Sequence, residues 1–176
     1  MSRLPTHTVD ATIPELRVEA RLRELDLRLK AIESGVAQPQ CFLRKTSTTP
    51  LPNNTATDVP FETEDYDPLG MHTGTSPNIV VPAAGLYMVV GMVIVSTPSS
   101  GVNWSLIVQI EVNGTVTWST ELSPVVSGTV GQPIVQTCAP LRCAAGDTIN
   151  LAAFTNGGAA TLSTGSLFAV FRQGPL

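Results

Sequence analysis

The residue types best suited to chemistry gather between positions 62 and 72. Four carboxylates lie close together in the sequence and a histidine follows them: Glu62, Glu64, Asp65, Asp67 and His72. Clustered carboxylate oxygens are the ligands that Ca²⁺ prefers, so a hard cation is one interpretation, although the spacing is not that of a calcium-binding hand. Two such acids are also what a glycan hydrolase uses. Solvated acidic loops are commoner than either, and we predict no metal and no cofactor here.

Other catalytic signatures are missing from the sequence. The second histidine is His7, and neither histidine belongs to a recognisable nucleophile triad or zinc motif. No Gly-x-Ser-x-Gly element and no phosphate-binding Gly-Lys loop occurs. We therefore expect that the protein is not an enzyme, and we assign no catalytic residue.

The cysteine and tryptophan residues have structural as well as chemical interpretations. Cys41, Cys138 and Cys143 are odd in number and have no histidine nearby, which favours free thiols over a zinc site. Trp104 and Trp118 could stack on the sugar rings of a cell-surface glycan, which makes such a glycan one candidate partner. Large aromatic residues in strands more often anchor a core or an interface.

Charge is divided unevenly along the chain. Residues 1–45 hold eight of the ten basic residues, whereas residues 46–176 hold two basic and eight acidic residues. Affinity for nucleic acid comes mainly from cationic contacts, so we expect no nucleic-acid partner. The longest apolar run, Leu86–Val95, is about half as long as a membrane-spanning helix, and the first twenty residues do not resemble a secretory signal. We expect a soluble protein that is made in the cytoplasm, with no membrane insertion.

Strong helix formers dominate residues 13–34, and Gly35 is placed to end a helix there. Apolar residues alternate steps of four and three, as in a coiled-coil seam; they are Val18, Leu22, Leu25, Leu29, Ile32 and Val36. In this frame Arg21 faces Asp26 and Arg28 faces Glu33 between parallel helices. Leu and Ile at the seam favour three or four strands over two. The pattern predicts a trimeric parallel coiled coil over 14–36; an amphipathic helix lying on its own domain is the alternative.

After Gly35 the helical pattern gives way to short apolar, β-branched segments separated by Gly, Pro, Asn and Ser, which is typical of an all-β sandwich or barrel. We predict a docking arm over 1–13, a linker with the first strand over 37–45 and a β-sandwich head over 46–176. The Asn113-Gly114 pair supplies the positive φ angles of a tight hairpin turn. The predicted strands are Cys41–Lys45, Asn78–Val81, Leu86–Val95, Trp104–Val112, Thr115–Thr120, Ile134–Leu141, Thr148–Phe154, Thr161–Ser163 and Ser166–Arg172.

The segment Leu86–Val95 does not alternate polar and apolar residues. A strand that is apolar on both faces must be covered on both faces. The sandwich core covers one, and another copy of the chain is a natural cover for the other. We therefore predict that Leu86, Tyr87 and Val89 contribute to trimerisation. Cover by long loops of the same chain is the alternative.

Several elements, in order along the head, resemble the C1q/TNF-like jelly-roll domains, especially their bacterial and phage versions. They are Ile79–Tyr87 with its Pro and Gly-x-Tyr, Val112-Asn113-Gly114, Ala145–Ile149 and Ser166–Phe171. Elements between Asn54 and His72 are similar to segments of actinobacteriophage structural proteins. The resemblance implies a homotrimer of ten-strand antiparallel jelly rolls carried on a stalk. It implies in turn a phage fibre or knob, anchored to other virion proteins by its N-terminal arm, whose head contacts the host surface. A capsid decoration protein without a receptor is the alternative, and a tail-associated glycan hydrolase is a third hypothesis.

Overall fold

The computed structural model describes residues 38–96, 103–126 and 132–175. The predicted docking arm, the helix with its seam and the pairs Arg21–Asp26 and Arg28–Glu33 lie outside the described residues. Within them the chain forms two antiparallel sheets packed as a sandwich, as the sequence predicts. The strands are β1 (Gln40–Arg44), β2 (Thr49–Leu51), β3 (Thr57–Asp58), β4 (Thr63–Tyr66), β5 (Asn78–Val80), β6 (Gly85–Ser96), β7 (Asn103–Val112), β8 (Thr115–Val126), β9 (Ile134–Cys143), β10 (Thr148–Asn156), β11 (Ala160–Leu162) and β12 (Leu167–Gly174).

Sheet I is built around the twelve-residue strand β6. Strand β9 pairs along one side of β6, while β12 and then β11 pair along the other side. Beyond β12 lie β1 and β4, and beyond β11 lies β2. Sheet II has the order β3-β10-β7-β8, with β5 pairing to the same strand β10. Among the described strands, β4 therefore lies at one edge of sheet I and β8 at one edge of sheet II.

The core lies between the two sheets and is formed by alternate residues of their long strands. In β6 the buried residues alternate with partly exposed ones, because successive side chains of a strand point to opposite faces. Gly91 lies on the buried face, where a Cβ atom would stand 2.6 Å from Cδ1 of Leu151 in β10. The two sheets thus approach closely at this point, and the absence of a side chain at Gly91 leaves room for Leu151.

The turn between β7 and β8 is the tight hairpin that the sequence predicts. Asn113 and Gly114 have φ angles of 52° and 73°, as such a turn requires. The Asn113 side chain also ties this turn to the start of β10: its Nδ2 donates to Asp147, and its Oδ1 accepts a hydrogen bond from the Thr148 amide. The loops at this end of the sandwich are therefore linked by side-chain hydrogen bonds.

All nine predicted strands have a counterpart, but the count of ten implied by the resemblance is too low for the described residues, which form twelve strands. The unpredicted strands are β2, β3 and β4, of two to four residues each. Such short segments at sheet edges contain no repeating pattern from which to predict them, and tertiary pairing alone makes them strands.

Candidate intersubunit surface

The outward face of β6 is apolar and partly exposed in the described part of the chain. Leu86, Met88, Val90, Met92 and Ile94 alternate with the buried residues of the strand. Leu86 and Val90 are 37% and 38% exposed. The sandwich core covers the other face of this strand. On the outward face Met88, Met92 and Ile94 are partly buried, and a Cβ atom at Gly165 would stand 3.4 Å from Cδ1 of Ile94.

The neighbouring strands extend this apolar face in register. Val90 pairs with Cys138 of β9 on one side and with Ala169 of β12 on the other. Ala169 pairs in turn with Phe42 of β1, which pairs with Tyr66 of β4. An almost entirely apolar row therefore crosses five strands of sheet I. Residues directly opposite in paired strands lie on the same face, so this row forms one continuous surface.

A groove of about 790 Å³ follows this surface, with Phe42, Tyr66, Val90, Leu167 and Phe171 among the residues that line it. The Phe42 ring makes edge-to-face contacts with Phe171 at 4.8 Å and with Tyr66 at 6.3 Å between centroids. The large rings stand beside the small Ala169, and this difference in size creates the depression. We call this surface the sheet I groove.

Charge is confined to the rim of the sheet I groove. Arg44 donates to both carboxylate oxygens of Asp65, at 2.7 and 3.1 Å. Both side chains are roughly half exposed, and an exposed pair of this kind contributes little to stability. A bidentate pair nevertheless holds its two strands in a defined geometry, here β1 and the edge strand β4.

A second apolar surface lies at the edge strand β8. Val116, Trp118 and Leu122 are exposed to 46%, 49% and 38%. Trp118 pairs with the buried Ile110 and Leu122 with the buried Leu106, so both side chains are on the face of sheet II that looks towards the core. At this edge they are only half covered. Val116 pairs with Glu111 beyond a register shift, so we call only Trp118 and Leu122 the β8 edge.

The structure separates the three head residues that the sequence assigns to trimerisation. Leu86 is on the outward face, whereas Tyr87 and Val89 are fully buried in the core of their own chain. The Tyr87 hydroxyl donates to the Ala83 carbonyl at 2.7 Å. The side chains of Tyr87 and Val89 therefore have no surface to offer another copy. Among residues not singled out from the sequence, Phe42 and Phe171 line the groove; the run Cys41-Phe42-Leu43 is apolar throughout, so the sequence does not show that Phe42 points outward.

The acidic cluster does not form a common site, because its four carboxylates have different partners. Glu62 binds Lys45, Glu64 binds His72, Asp65 binds Arg44, and Asp67 accepts hydrogen bonds from the backbone amides of residues 71 and 72. Within residues 38–96, 103–126 and 132–175, no group of three or more His, Cys, Asp or Glu side chains is arranged to hold a metal ion.

Lys45 is the unexpected member of this region, since its side chain is fully buried. Its ammonium group donates to Glu62 at 3.1 Å, to the Thr49 hydroxyl at 2.8 Å and to the Pro60 carbonyl at 3.2 Å. Burial opposes the ionisation of Glu62, but hydrogen bonds from Ser47, the residue 46 amide and Lys45, together with the Lys45 charge, outweigh it and lower the pKa of Glu62 to about 2. The pair anchors the segment before β4.

The cysteine and tryptophan residues divide between core and surface. The three thiols are free; Cys41 and Cys143 are buried, and Cys138 is exposed beside the sheet I groove. Trp104 is 2% exposed and belongs to the core, so it is not available to stack on a sugar. Trp118 is the tryptophan with exposed surface. In the described part of the chain, no helix has the length and apolar character needed to cross a membrane.

Comparisons with known proteins place the fold. No protein-family model matches the chain, and no curated protein sequence matches it. Among solved structures, the globular domain of zebrafish complement 1qA protein has a TM-score of 0.57 and 13% identity over 79% of this chain and 100% of its own. Eiger TNF from S. frugiperda has a TM-score of 0.55 and 12% identity over 79% of this chain and 94% of its own. Murine APRIL has a TM-score of 0.55 and 13% identity over 77% of this chain and 98% of its own. The head thus has the C1q/TNF jelly-roll fold.

Proposed function

We propose that this chain is a homotrimeric structural protein of a phage virion, and that its head trimerises by seating the β8 edge of one copy in the sheet I groove of the next. The partly exposed apolar row across five strands is the observation that carries the proposal. Contiguous exposed apolar patches on soluble proteins usually mark interaction sites, and burial of each Å² contributes about 25 cal/mol.

The two apolar surfaces lie on different sheets, which favours a head-to-tail arrangement. The groove is concave and lined by aromatic rings, whereas the β8 edge presents the half-exposed Trp118. A contact between two different surfaces repeats from copy to copy and closes into a ring when the rotation allows. Tryptophan is also among the residues that contribute most to interfaces. Each copy would then place its β8 edge in the groove of one neighbour and bind the β8 edge of the other neighbour in its own sheet I groove.

Three copies are favoured by two independent lines of support. The predicted seam over 14–36 has the Leu and Ile composition of bundles with more than two strands. The jelly-roll fold of the head is that of the C1q and TNF domains to which the sequence shows a resemblance. A short coiled coil is marginal in isolation, so a head that also associates would stabilise the stalk.

The virion role rests on the sequence. A basic, heptad-bearing N-terminal segment precedes an acidic head, and elements between residues 54 and 72 resemble segments of actinobacteriophage structural proteins. In this proposal residues 1–13 dock to other virion proteins, residues 14–36 form the stalk, and the head projects from the particle. Trimerisation would allow three weak contacts with a host surface to act together.

A charge placed in the sheet I groove tests the assembly. Val90→Glu should reduce trimer formation, because the new carboxylate would be buried against an apolar edge without a partner. Val80→Glu is the matched control: Val80 is 46% exposed but lies in β5 of sheet II. Sedimentation equilibrium gives the mass of each variant, and circular dichroism checks that both remain folded.

The expected result is a trimer for the Val80 variant and a smaller species for the Val90 variant. If both variants remain trimeric, the sheet I groove is not the interface and this assembly is refuted. If the unmodified chain itself is monomeric, the homotrimer is refuted altogether.

The position of the protein on the particle is tested with particles that lack residues 37–176. Electron cryomicroscopy should show lost density at tail fibres or the tail tip, together with reduced adsorption to the host. Loss of density from the capsid surface, with lower particle stability and unchanged adsorption, would instead identify the decoration protein. Unchanged particles would contradict both virion roles.

A further inference from the structure

His72 is buried with both of its ring nitrogens facing hydrogen-bond acceptors. Its side chain has no exposed surface. Nδ1 lies 2.8 Å from Oε1 of Glu64 in the edge strand β4, and Nε2 lies 2.7 Å from the backbone carbonyl oxygen of Ser76. The ring therefore bridges β4 to the loop that leads into β5.

This geometry fixes the number of protons in the bridge. A carbonyl oxygen can only accept, so Nε2 must carry a hydrogen. An ionised carboxylate also accepts only, and therefore the contact at Nδ1 requires a second proton, either on the ring or on Glu64. A neutral histidine beside an ionised glutamate holds one proton too few to make both contacts.

A second carboxylate and a buried thiol lie close to the bridge. Besides Glu64, the carboxylate of Asp67 lies nearby and accepts hydrogen bonds from the amides of Met71 and His72 itself. From β1, the buried Cys41 thiol is close to both acids; burial, and then the charges of Asp67 and Glu64, raise its pKa to about 12. The thiol thus stays neutral and adds no third negative charge beside these two carboxylates.

The bridge acts on a strand that borders the sheet I groove. Strand β4 has four residues and pairs with β1 alone among the described strands. Glu64 is held by the buried histidine, whereas Tyr66, two residues later, lines the groove. The Arg44–Asp65 ion pair at this strand is exposed. The buried bridge is therefore well placed to fix the position of the groove rim.

We propose that His72 and Glu64 form a proton-dependent bridge that holds β4 and, with it, the Tyr66 side of the sheet I groove. The bridge exists while the pair holds its second proton. Raising the pH removes that proton, breaks the contact and loosens the rim. The consequence for assembly, a trimer that weakens as the pH rises, rests on the function proposed above; the bridge itself does not.

The Glu64→Gln variant tests whether the contact at Nδ1 of His72 depends on the second proton, because it can keep the contact without that proton. A glutamine side chain can donate to an unprotonated Nδ1 while Nε2–H still donates to the Ser76 carbonyl. The bridge should then persist without the second proton. The full-length chain carries one other histidine, His7, and a His7→Gln background leaves a single ring to observe by ¹⁵N nuclear magnetic resonance.

Two signals are followed while the pH is raised from about 5.5 to 8.5, across the range in which histidines ordinarily titrate. The first is the pair of ring ¹⁵N shifts, and the second is amide hydrogen exchange at Met71, His72 and Val80. With Glu64 present, loss of the ring proton should coincide with exchange that becomes about tenfold faster than in the Glu64→Gln variant at the same pH. The Tyr66 ring signals should change at the same point.

Equal exchange in the two variants at every pH would overturn the proposal, and so would amide or Tyr66 signals that do not follow the ring titration. These readouts do not require a trimer, because the Val90→Glu chain can be measured in the same way. Native mass spectrometry across the same pH series tests the consequence for assembly. A trimer that is equally stable at both ends refutes that coupling, whereas a chain that is monomeric throughout refutes the proposed function and leaves the bridge readouts intact.

Discussion

Gly91→Ala should destabilise the head by overpacking the point where the two sheets approach closely in the middle of β6. The added Cβ would stand 2.6 and 2.8 Å from the two methyl carbons of Leu151 and 3.2 Å from Cγ2 of Thr137. Ordinary carbon contacts are about 3.5–4.0 Å. Leu151 is fully buried and cannot move into solvent. We expect the free energy of unfolding to fall by about 1–3 kcal/mol.

Urea unfolding at a fixed chain concentration measures this loss. Gly174→Ala is the matched control, because a Cβ there would contact nothing within 4 Å, and its effect should stay within about 0.5 kcal/mol. Leu151→Ala alone should cost about 2–5 kcal/mol through the cavity it leaves. The methyl group added by Gly91→Ala fills part of that cavity, so the double variant should be more stable than the sum of the two single changes predicts, by at least about 0.5 kcal/mol.

A Gly91→Ala variant as stable as the original chain would refute the close approach of the sheets. Strict additivity in the double variant would refute the assignment of Leu151 as the obstructing side chain. Both measurements concern the interior of one copy, so neither depends on the trimer.

Three further predictions concern single side chains. The pKa of Glu62 is lowered to about 2, so its ionised form stabilises the fold fully above about pH 4.5, and this stabilisation is lost as the pH falls towards about 2. The free energy of unfolding, measured at pH 7, 4 and 3, should therefore fall less with acid in the Glu62→Gln variant than in the original chain. A thiol reagent should modify Cys138 more slowly in the trimer, where the sheet I groove is occupied, than in the Val90→Glu chain, and should leave the buried Cys41 and Cys143 unmodified in both, as peptide mass spectrometry would show. Tyr87→Phe removes a hydrogen bond from a fully buried ring and should lower the free energy of unfolding by about 1 kcal/mol, measured by the same urea titration.

The sandwich could be predicted from the sequence because its long strands carry the signal themselves. Strands β6, β7 and β10 are rich in β-branched and apolar residues, and Asn113-Gly114 determines a hairpin turn locally. The short edge strand β4 contains Glu64 and Asp65 and has no strand-like pattern. Its structure comes from pairing with β1, which sequence periodicity cannot reveal.

The sequence predicts that β6 carries a second apolar face, but it does not predict which residues form that face. Residues on both faces of the segment Leu86–Val95 are apolar, which indicates that both faces of this strand are covered in the assembled protein. It does not reveal which alternate set points inward, because both sets are apolar. Tyr87 and Val89 are consequently in the core rather than on the surface. The buried Lys45 and His72 were equally unpredictable, since their carboxylate partners are 17 and 8 residues away in the chain, respectively.

The molar mass of the full-length chain in solution tests the central claim most directly. Native mass spectrometry at micromolar concentration should give three copies of the 18.6 kDa chain, about 56 kDa. The Val90→Glu chain should shift towards 18.6 kDa under the same conditions. A single species at 18.6 kDa for the unmodified chain would contradict the account.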